Sequence, residues 1–326
     1  MKLINIGIIG YAGIAKRSII PALFLMPDKY NVKAIASRDK ENKSEIENKL
    51  KIGFYHNYES LIQDKDINAI YIPLPNSLHA KWIEKALENN LHILVEKPLA
   101  CNLDDIKRLN KIAAKKNLVL IENFQFRFHK QLSIIKNLLE QNKIGEIRCL
   151  RSSFGFPPFD DSNNIRYSKK LGGGALLDAG VYPIKISSIF FNDDISALSS
   201  TLFYDKSLGV DIWGGGYLVQ ENGNLFSQIA FGFDNYYQCN LEIWGSKGKI
   251  IADRIFTAPP EEKQIIRLQT PNSEKNIEIP PDNHFVNMFH HFYNLIFTKK
   301  EREKEYRQNI LQGKLVQEMR DNSYAR

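Results

Sequence analysis

The sequence predicts an α/β, doubly wound parallel sheet followed by an α+β domain built on an open, mostly antiparallel sheet. Three observations carry that prediction. The first ~120 residues alternate short apolar runs with amphipathic stretches, the pattern of parallel strands joined by crossover helices. The first of those runs ends in a glycine-bearing turn, Gly10-Tyr11-Ala12-Gly13-Ile14. After Phe124 the alternation gives way to strand runs linked by hairpin signals, and hairpins join antiparallel strands. A chain of 326 residues is long enough for two cores. The change of texture puts the boundary after residue 122, giving domains 1–122 and 123–326.

The elements follow in order. "LINIGIIG" is a strand stopped by glycine, and Ile14 to Met26 continues as a helix. "VKAIAS" is a strand leading to a charged helix, Lys40–Leu50. "AIYIPL" is a strand whose exit is stiffened by Pro73 and Pro75, and Asn76 or Ser77 can cap the helix Ser77–Glu88. "HILVE", the helix Leu103–Lys115 and "LVLIEN" complete the first domain. In the second, a helix His129–Glu140 precedes the strand "IRCLRSSFGF", and a helix runs from near Gly174 to Phe191. Hairpins turn at Asn222–Gly223 and at Gly245–Gly248, and helices Phe285–Phe297 and Arg307–Ser323 close the chain.

Composition narrows the function. The hydrophobic fraction of 43% and charged fraction of 25% are those of a water-soluble globular chain. No run approaches the ~18 apolar residues of a membrane helix. Glycines interrupt the opening "MKLINIGIIGYAG" where a signal peptide would be apolar, so a cytoplasmic address is expected. Three isolated cysteines and seven histidines offer no ligand spacing, so no metal is expected. The net charge of +7 is scattered, unlike the one-sided basic face of a nucleic-acid protein, and suits at most attraction for small phosphorylated molecules.

Several stretches carry chemistry. Gly10–Ala15 is a variant dinucleotide fingerprint with alanine at the second and third glycine positions; in the strand–turn–helix context it aims a helix N-terminus at a pyrophosphate. At the end of the second strand stand Ser37 and Arg38 where NAD-preferring sites have an acid, which favours a 2′-phosphate and NADP(H) over NAD(H). The competing reading is a helix cap by Ser37 with Arg38 solvated. Pro73, Leu74, Asn76 and His79 border the ligand crevice at a strand end, with His79 read as a local structural residue. Glu96-Lys97-Pro98 ends a buried strand on the same side of the sheet. A desolvated lysine there can polarise a carbonyl and stabilise developing negative charge, with Glu96 orienting it; the alternative is a surface ion pair. Gly172–Gly174 allows close backbone approach to a ligand, and Asp178 and Tyr182 lie one helical turn apart. A phenol beside a lysine is a workable general acid, which Asp178 can help to orient; a core helix with a satisfied tyrosine is the competing reading.

Together these residues resemble the glucose–fructose oxidoreductase/inositol dehydrogenase (Gfo/Idh/MocA) family. The marks are the Glu96-Lys97-Pro98 triplet, the Gly10–Ala15 loop and "GGGALLDAGVYP", and the resemblance runs from Ile4 to the final helix. It implies a Rossmann domain, an NAD(P) cofactor and a C-terminal sheet through which a homodimer or homotetramer forms. "GYAGIAKRSIIPAL", "IENFQFRFHKQ" and "WGSKGKIIADRIFTAPP" place it nearest the sugar-nucleotide C-3 ketoreductases, which reduce a 3-keto-deoxyhexose with NADPH. The resemblance assigns Lys97 and Tyr182 as the catalytic pair. It also puts Asn123 in the active site and Arg166 in contact with cofactor or substrate, where the residues alone read as a helix cap and a loop cation. The alternatives are a dihydrodiol or simple-sugar dehydrogenase, and a non-catalytic NADP-binding regulator.

Overall fold

The computed structural model describes residues 2–161 and 164–325. The chain forms two compact units: Met1–Asn123 with Phe285–Ile310, and Phe124–His284 with Leu311–Arg326. The segment Phe285–Ile310, assigned from the sequence to the second domain, therefore groups with the first.

In the first unit, β1 (Ile4–Ile9), β2 (Tyr30–Ala36), β3 (Gly53–Tyr55), β4 (Ala69–Ile72), β5 (His92–Glu96) and β6 (Leu120–Asn123) form one sheet in the order β3-β2-β1-β4-β5-β6. Every pair is parallel. Both faces of such a sheet are covered, so its strands are runs of isoleucine, leucine and valine without polar alternation. Helices Asn76–Glu88 and Leu103–Lys116 cover one face, packing Ile83, Leu87, Ile106 and Leu109 against Ile70, Ile72, Ile93 and Val95. Each side chain so buried contributes roughly 1.5–3 kcal/mol. The second helix starts where the Asn102 side chain accepts the Asp105 N–H at 2.8 Å, and stops at Asn117, whose left-handed φ of 55° ends the turn.

Phe285–Ile310 joins this unit through polar anchors. Tyr30 donates its hydroxyl to the Phe289 carbonyl at 2.8 Å, and Tyr306 donates to the Leu118 carbonyl. Buried Arg302 donates to the carbonyls of Leu295 and Ile296 near the end of helix His284–Phe297, and to that of Asn117. Glu305, also buried, meets His291 at 2.9 Å. The last helix spans Lys299–Asp321, beginning a full two turns before the expected Arg307. The expected helix Ile14–Met26 is a wide π turn, Ala15–Ile19, running into Ile20–Phe24. Lys40–Leu50 likewise splits into Asn42–Ser44 and a wide turn Glu45–Lys49.

The second unit is built on nine strands, β7 (Ile147–Gly155), β8 (Ser196–Asp205), β9 (Val210–Val219), β10 (Phe226–Gly232), β11 (Gln238–Gly245), β12 (Lys249–Ala252), β13 (Gln264–Thr270), β14 (Ser273–Ile279) and β15 (Ser323–Ala325). Their order is β14-β13-β12-β11-β7-β10-β9-β8-β15. Pairs are antiparallel except β7 with β10 and β8 with β15. The two expected hairpins join β9 to β10 and β11 to β12. Along β11, buried Cys239, Leu241 and Ile243 alternate with Gln238, Asn240 and Glu242, the period-two burial of a sheet covered on one face. Helix Val181–Phe190 covers that face against β7 and β10.

Candidate active site

In the first unit, β1 has β2 on one side and β4 on the other. The chain reverses its winding there, and the ligand crevice of an open parallel sheet lies at the carboxyl ends of those strands. Gly10 follows β1 with φ +101°, a conformation L side chains rarely adopt, and a Cβ would stand 2.9 Å from the Leu74 side chain. At Gly13 a Cβ would meet only the mobile guanidinium of Arg17, at 2.6 Å. The turn thus keeps its backbone bare, as close approach of a pyrophosphate requires, and a dinucleotide fits it. Beside it the Lys16 ammonium sits 4.0 Å over the Tyr11 ring and 3.3 Å from Glu45. Burial, then the Glu45 charge, push the Tyr11 phenol up to about 12.

At the tip of β2 the two candidate residues separate in role. Ser37 is buried and its hydroxyl accepts from the Asp39 N–H and the Asn42 carboxamide, both at 3.2 Å, so it holds its own loop. Arg38 is exposed, its guanidinium 5.9 Å over the Tyr58 ring.

The tips of β4, β5 and β6 carry a polar cluster. Glu96 stands opposite Asn123 in the ladder, and its Oε1 accepts from the Asn123 carboxamide and from the Tyr71 hydroxyl, each at 2.6 Å. Burial raises the Glu96 carboxyl above the usual carboxylate range, while those two donors and the Lys97 charge draw it down. Asn123, implied by family resemblance alone, is therefore tied to the Glu96-Lys97 turn through a side-chain bond. His79, placed at the crevice border and read as a local structural residue, is structural and does not touch the dinucleotide. It is fully buried, its ring nitrogens each 2.7 Å from a carbonyl oxygen, of Leu74 and of Pro98. It can affect a ligand only through the loops it holds.

In the second unit, a wide turn Leu176–Gly180 leads into helix Val181–Phe190, which carries Tyr182 in its first turn. Tyr182 is buried among Phe124, Phe126, Phe154 and Phe256, with ring centroids 4.9–5.9 Å away. Asp178 accepts from Arg166 Nε at 2.6 Å, and that guanidinium lies 4.8 Å over the Phe159 ring. The glycine run serves the protein's own backbone: a Cβ on Gly173 would strike the Arg166 carbonyl at 2.2 Å, and Gly174 N–H donates to that carbonyl at 2.9 Å. Asp211, which sequence reading missed, caps the segment: its buried Oδ2 accepts the Leu176 N–H at 2.5 Å. An acid inside the strand run "VDIWGGG" was the available signal. Glu122 in "LVLIEN" and Tyr71 in "AIYIPL" were overlooked for the same reason, as polar groups inside apolar runs.

Residues 4–124 match the model of an oxidoreductase family with an NAD-binding Rossmann fold, and residues 133–251 match the GFO/IDH/MocA C-terminal domain. A dTDP-3,4-didehydro-2,6-dideoxy-α-D-glucose 3-reductase of Saccharopolyspora spinosa is 36% identical over 86% of this chain and 84% of its own. The chain belongs to the Gfo/Idh/MocA oxidoreductase family. Another relative, the 3-reductase of the same description from Actinomadura kijaniata, is 32% identical over 97% of this chain and 95% of its own. The solved structure of a 3-ketoreductase from Actinomadura kijaniata, in complex with NADP and TDP-benzene, superimposes with a TM-score of 0.95 at 31% identity, covering 99% of each chain. That ketoreductase has also been solved as a lysine-to-alanine and as a tyrosine-to-phenylalanine variant. Membership in this oxidoreductase family accounts for both units, including the mixed, one-face-covered second sheet.

Proposed function

We propose that this oxidoreductase uses NADPH to reduce the C-3 keto group of a deoxyhexose carried on a nucleoside diphosphate, with Lys97 and Tyr182 as the catalytic pair. The observation that carries the reading is the Glu96-Lys97 turn, held by Tyr71 and Asn123 at the carboxyl edge of the sheet whose first turn fits a dinucleotide. The names of the relatives and the choice of a lysine and a tyrosine for variants of the ketoreductase support it.

NADPH, when bound, would supply the hydride for the C-3 carbon. The ammonium of Lys97 stabilises the negative charge that grows on the C-3 oxygen, and the Tyr182 hydroxyl gives that oxygen its proton, so C=O becomes CH–OH. The tyrosine regains its proton from solvent. Gly10, Tyr11, Ala12, Gly13 and Ile14 would hold the pyrophosphate of NADPH, and Arg38 its 2′-phosphate. Pro73, Leu74 and Asn76 line the loop beside them, and Asp178 fixes Arg166 for contact with substrate.

The test is NADPH oxidation with dTDP-3,4-didehydro-2,6-dideoxy-α-D-glucose, set against NADP+ reduction with free D-xylose and with a trans-dihydrodiol. Turnover of the nucleotide sugar alone is expected. Lys97→Ala and Tyr182→Phe should each cut kcat by about 10²–10³-fold while NADPH Kd changes by less than about 3-fold. Turnover of the free sugar or the diol alone, or NADPH binding without oxidation of any keto sugar, overturns the reading.

The open face of the second sheet is proposed as the contact between two copies of the chain. Phe203 stacks on Trp213 at 3.5 Å, and these border a shallow concavity of about 1030 Å³ floored by Gly214, Gly215 and Ala230. Trp213 is 41% exposed and, with Phe203, gives this face a contiguous apolar patch. Ala230→Arg should convert the oligomer to monomers in light scattering; an unchanged mass removes this face from the contact.

A further inference from the structure

Four buried side chains from three elements hold the residues on either side of Lys97, two through the Glu96 carboxylate and two through the Pro98-Leu99 backbone. Before it, Glu96 is held by Tyr71 from β4 and Asn123 from β6. After it, the Pro98 carbonyl lies 2.7 Å from His79 Nδ1, and the Leu99 N–H donates to Glu122 Oε1 at 2.9 Å. His79 is 0% and Glu122 2% exposed, so neither meets a ligand itself. The other ring nitrogen of His79 is 2.7 Å from the Leu74 carbonyl, and the Leu74 side chain packs against Gly10. One imidazole therefore spans the gap between the loop beside the dinucleotide turn and the turn that carries the lysine. Whichever tautomer it adopts, one of the two carbonyls receives its N–H while the ring fills the space between both. Burial, and in smaller measure the charge of Lys97, hold its pKa below the ordinary histidine value against the pull of the two carbonyls.

A lysine carries its ammonium on four rotatable bonds, so its place relative to a reacting oxygen is only as definite as the backbone beneath it. We propose that His79 and Glu122 are positioning residues for Lys97, fixing the Pro98-Leu99 backbone so that the ammonium is held where charge develops. This rests on the catalytic role proposed for Lys97 above. The assignment gives the structural His79 a part in the chemical step, and adds Glu122, to which nothing in the motif reading gave a role.

A double-mutant cycle tests it. kcat with dTDP-3,4-didehydro-2,6-dideoxy-α-D-glucose and NADPH Kd by fluorescence are measured for His79→Ala, Glu122→Ala and Glu122→Gln, each alone and in a Lys97→Ala background. Alone, His79→Ala and Glu122→Ala should lower kcat by roughly 10–100-fold with NADPH Kd changed less than about 3-fold. Glu122→Gln keeps an oxygen acceptor for the Leu99 N–H and should recover most of the loss. In the Lys97→Ala background both penalties should shrink to less than about 2-fold, because nothing remains to be positioned. Penalties that persist in full there, or NADPH affinity lost as steeply as kcat, overturn the proposal while leaving Lys97 in place. If Lys97→Ala itself leaves turnover intact, the catalytic reading fails first and this inference with it. Should His79→Ala not fold, the Glu122 pair decides the matter alone.

Discussion

Replacing Gly174 by alanine pits backbone conformation against a buried carboxylate. Gly174 has φ +114°, outside the left-handed helical basin, and an added Cβ would stand 2.3 Å from Asp211 Oδ1. The carboxylate has nowhere to retreat, since its other oxygen accepts the Leu176 N–H at 2.5 Å and the residue is 8% exposed. Gly209 is the natural control: φ is +66°, within that basin, and the nearest neighbour is Lys169 Cδ at 3.4 Å. Alanine at Gly209 should cost about 1 kcal/mol of conformational strain. At Gly174 the strain is roughly 2–3 kcal/mol, and displacing the cap adds about 1–2 kcal/mol. The difference of about 3 kcal/mol corresponds to roughly 6–12 °C in Tm for a domain of this size. Differential scanning calorimetry of the two variants measures it. Equal Tm values for Gly174→Ala and Gly209→Ala would show that neither the clash nor the cap operates as described.

Arg38→Ala should raise the KM for NADPH by roughly 10–100-fold, the worth of a charge-assisted phosphate contact, and leave the KM for NADH unchanged; equal losses with both would return Arg38 to the solvated surface. His284 is 2% exposed, and burial, then the neighbouring His129, hold its pKa down to about 3. Its folded value lies below the ordinary 6.5, so its stabilising contribution is complete above pH 6.5 and is lost as pH falls from 6.5 towards 3, by up to about 1.4 kcal/mol per pH unit. Urea midpoints at pH 7, 5.5 and 4 should fall more steeply for the native chain than for His284→Gln; parallel slopes would assign the acid sensitivity to other groups.

What could be read from the sequence was what local pattern and local chemistry dictate. A buried run such as "HILVE" must be a strand, and a charged pair at its end stands out because nothing in a turn asks for it. The hairpins at Asn222–Gly223 and Gly245–Gly248 were legible because those turns demand glycine. The grouping of Phe285–Ile310 with the first unit was not, since it depends on contacts such as Tyr30 with Phe289, distant in sequence and anonymous in composition. The parallel pairing of β7 with β10 arises in the same way. The wide turn Leu176–Gly180 escaped because apolar periodicity does not resolve 3.6 from about 4.4 residues per turn over five positions. At the site, the fingerprint turn and Lys97 were visible as motifs. Ser37 and the glycine run were assigned outward to a ligand, when the fold uses them to bind its own backbone, as it does His79, whose structural reading holds.

The run Lys299–Arg307 is mostly lysine, glutamate and arginine, the composition in which evolution and engineering alike usually drift unhindered. Arg302, with three carbonyls on one guanidinium, breaks that rule. An ammonium at that position offers no planar fork, so arginine to lysine is a harsh exchange there, whereas a reversal of charge at exposed Lys300 or Glu303 is a mild one. Tolerance along this helix will follow which side of it faces the Leu118 and Asn117 carbonyls, and a surface-redesign effort that counts only charges will fail at every third or fourth residue.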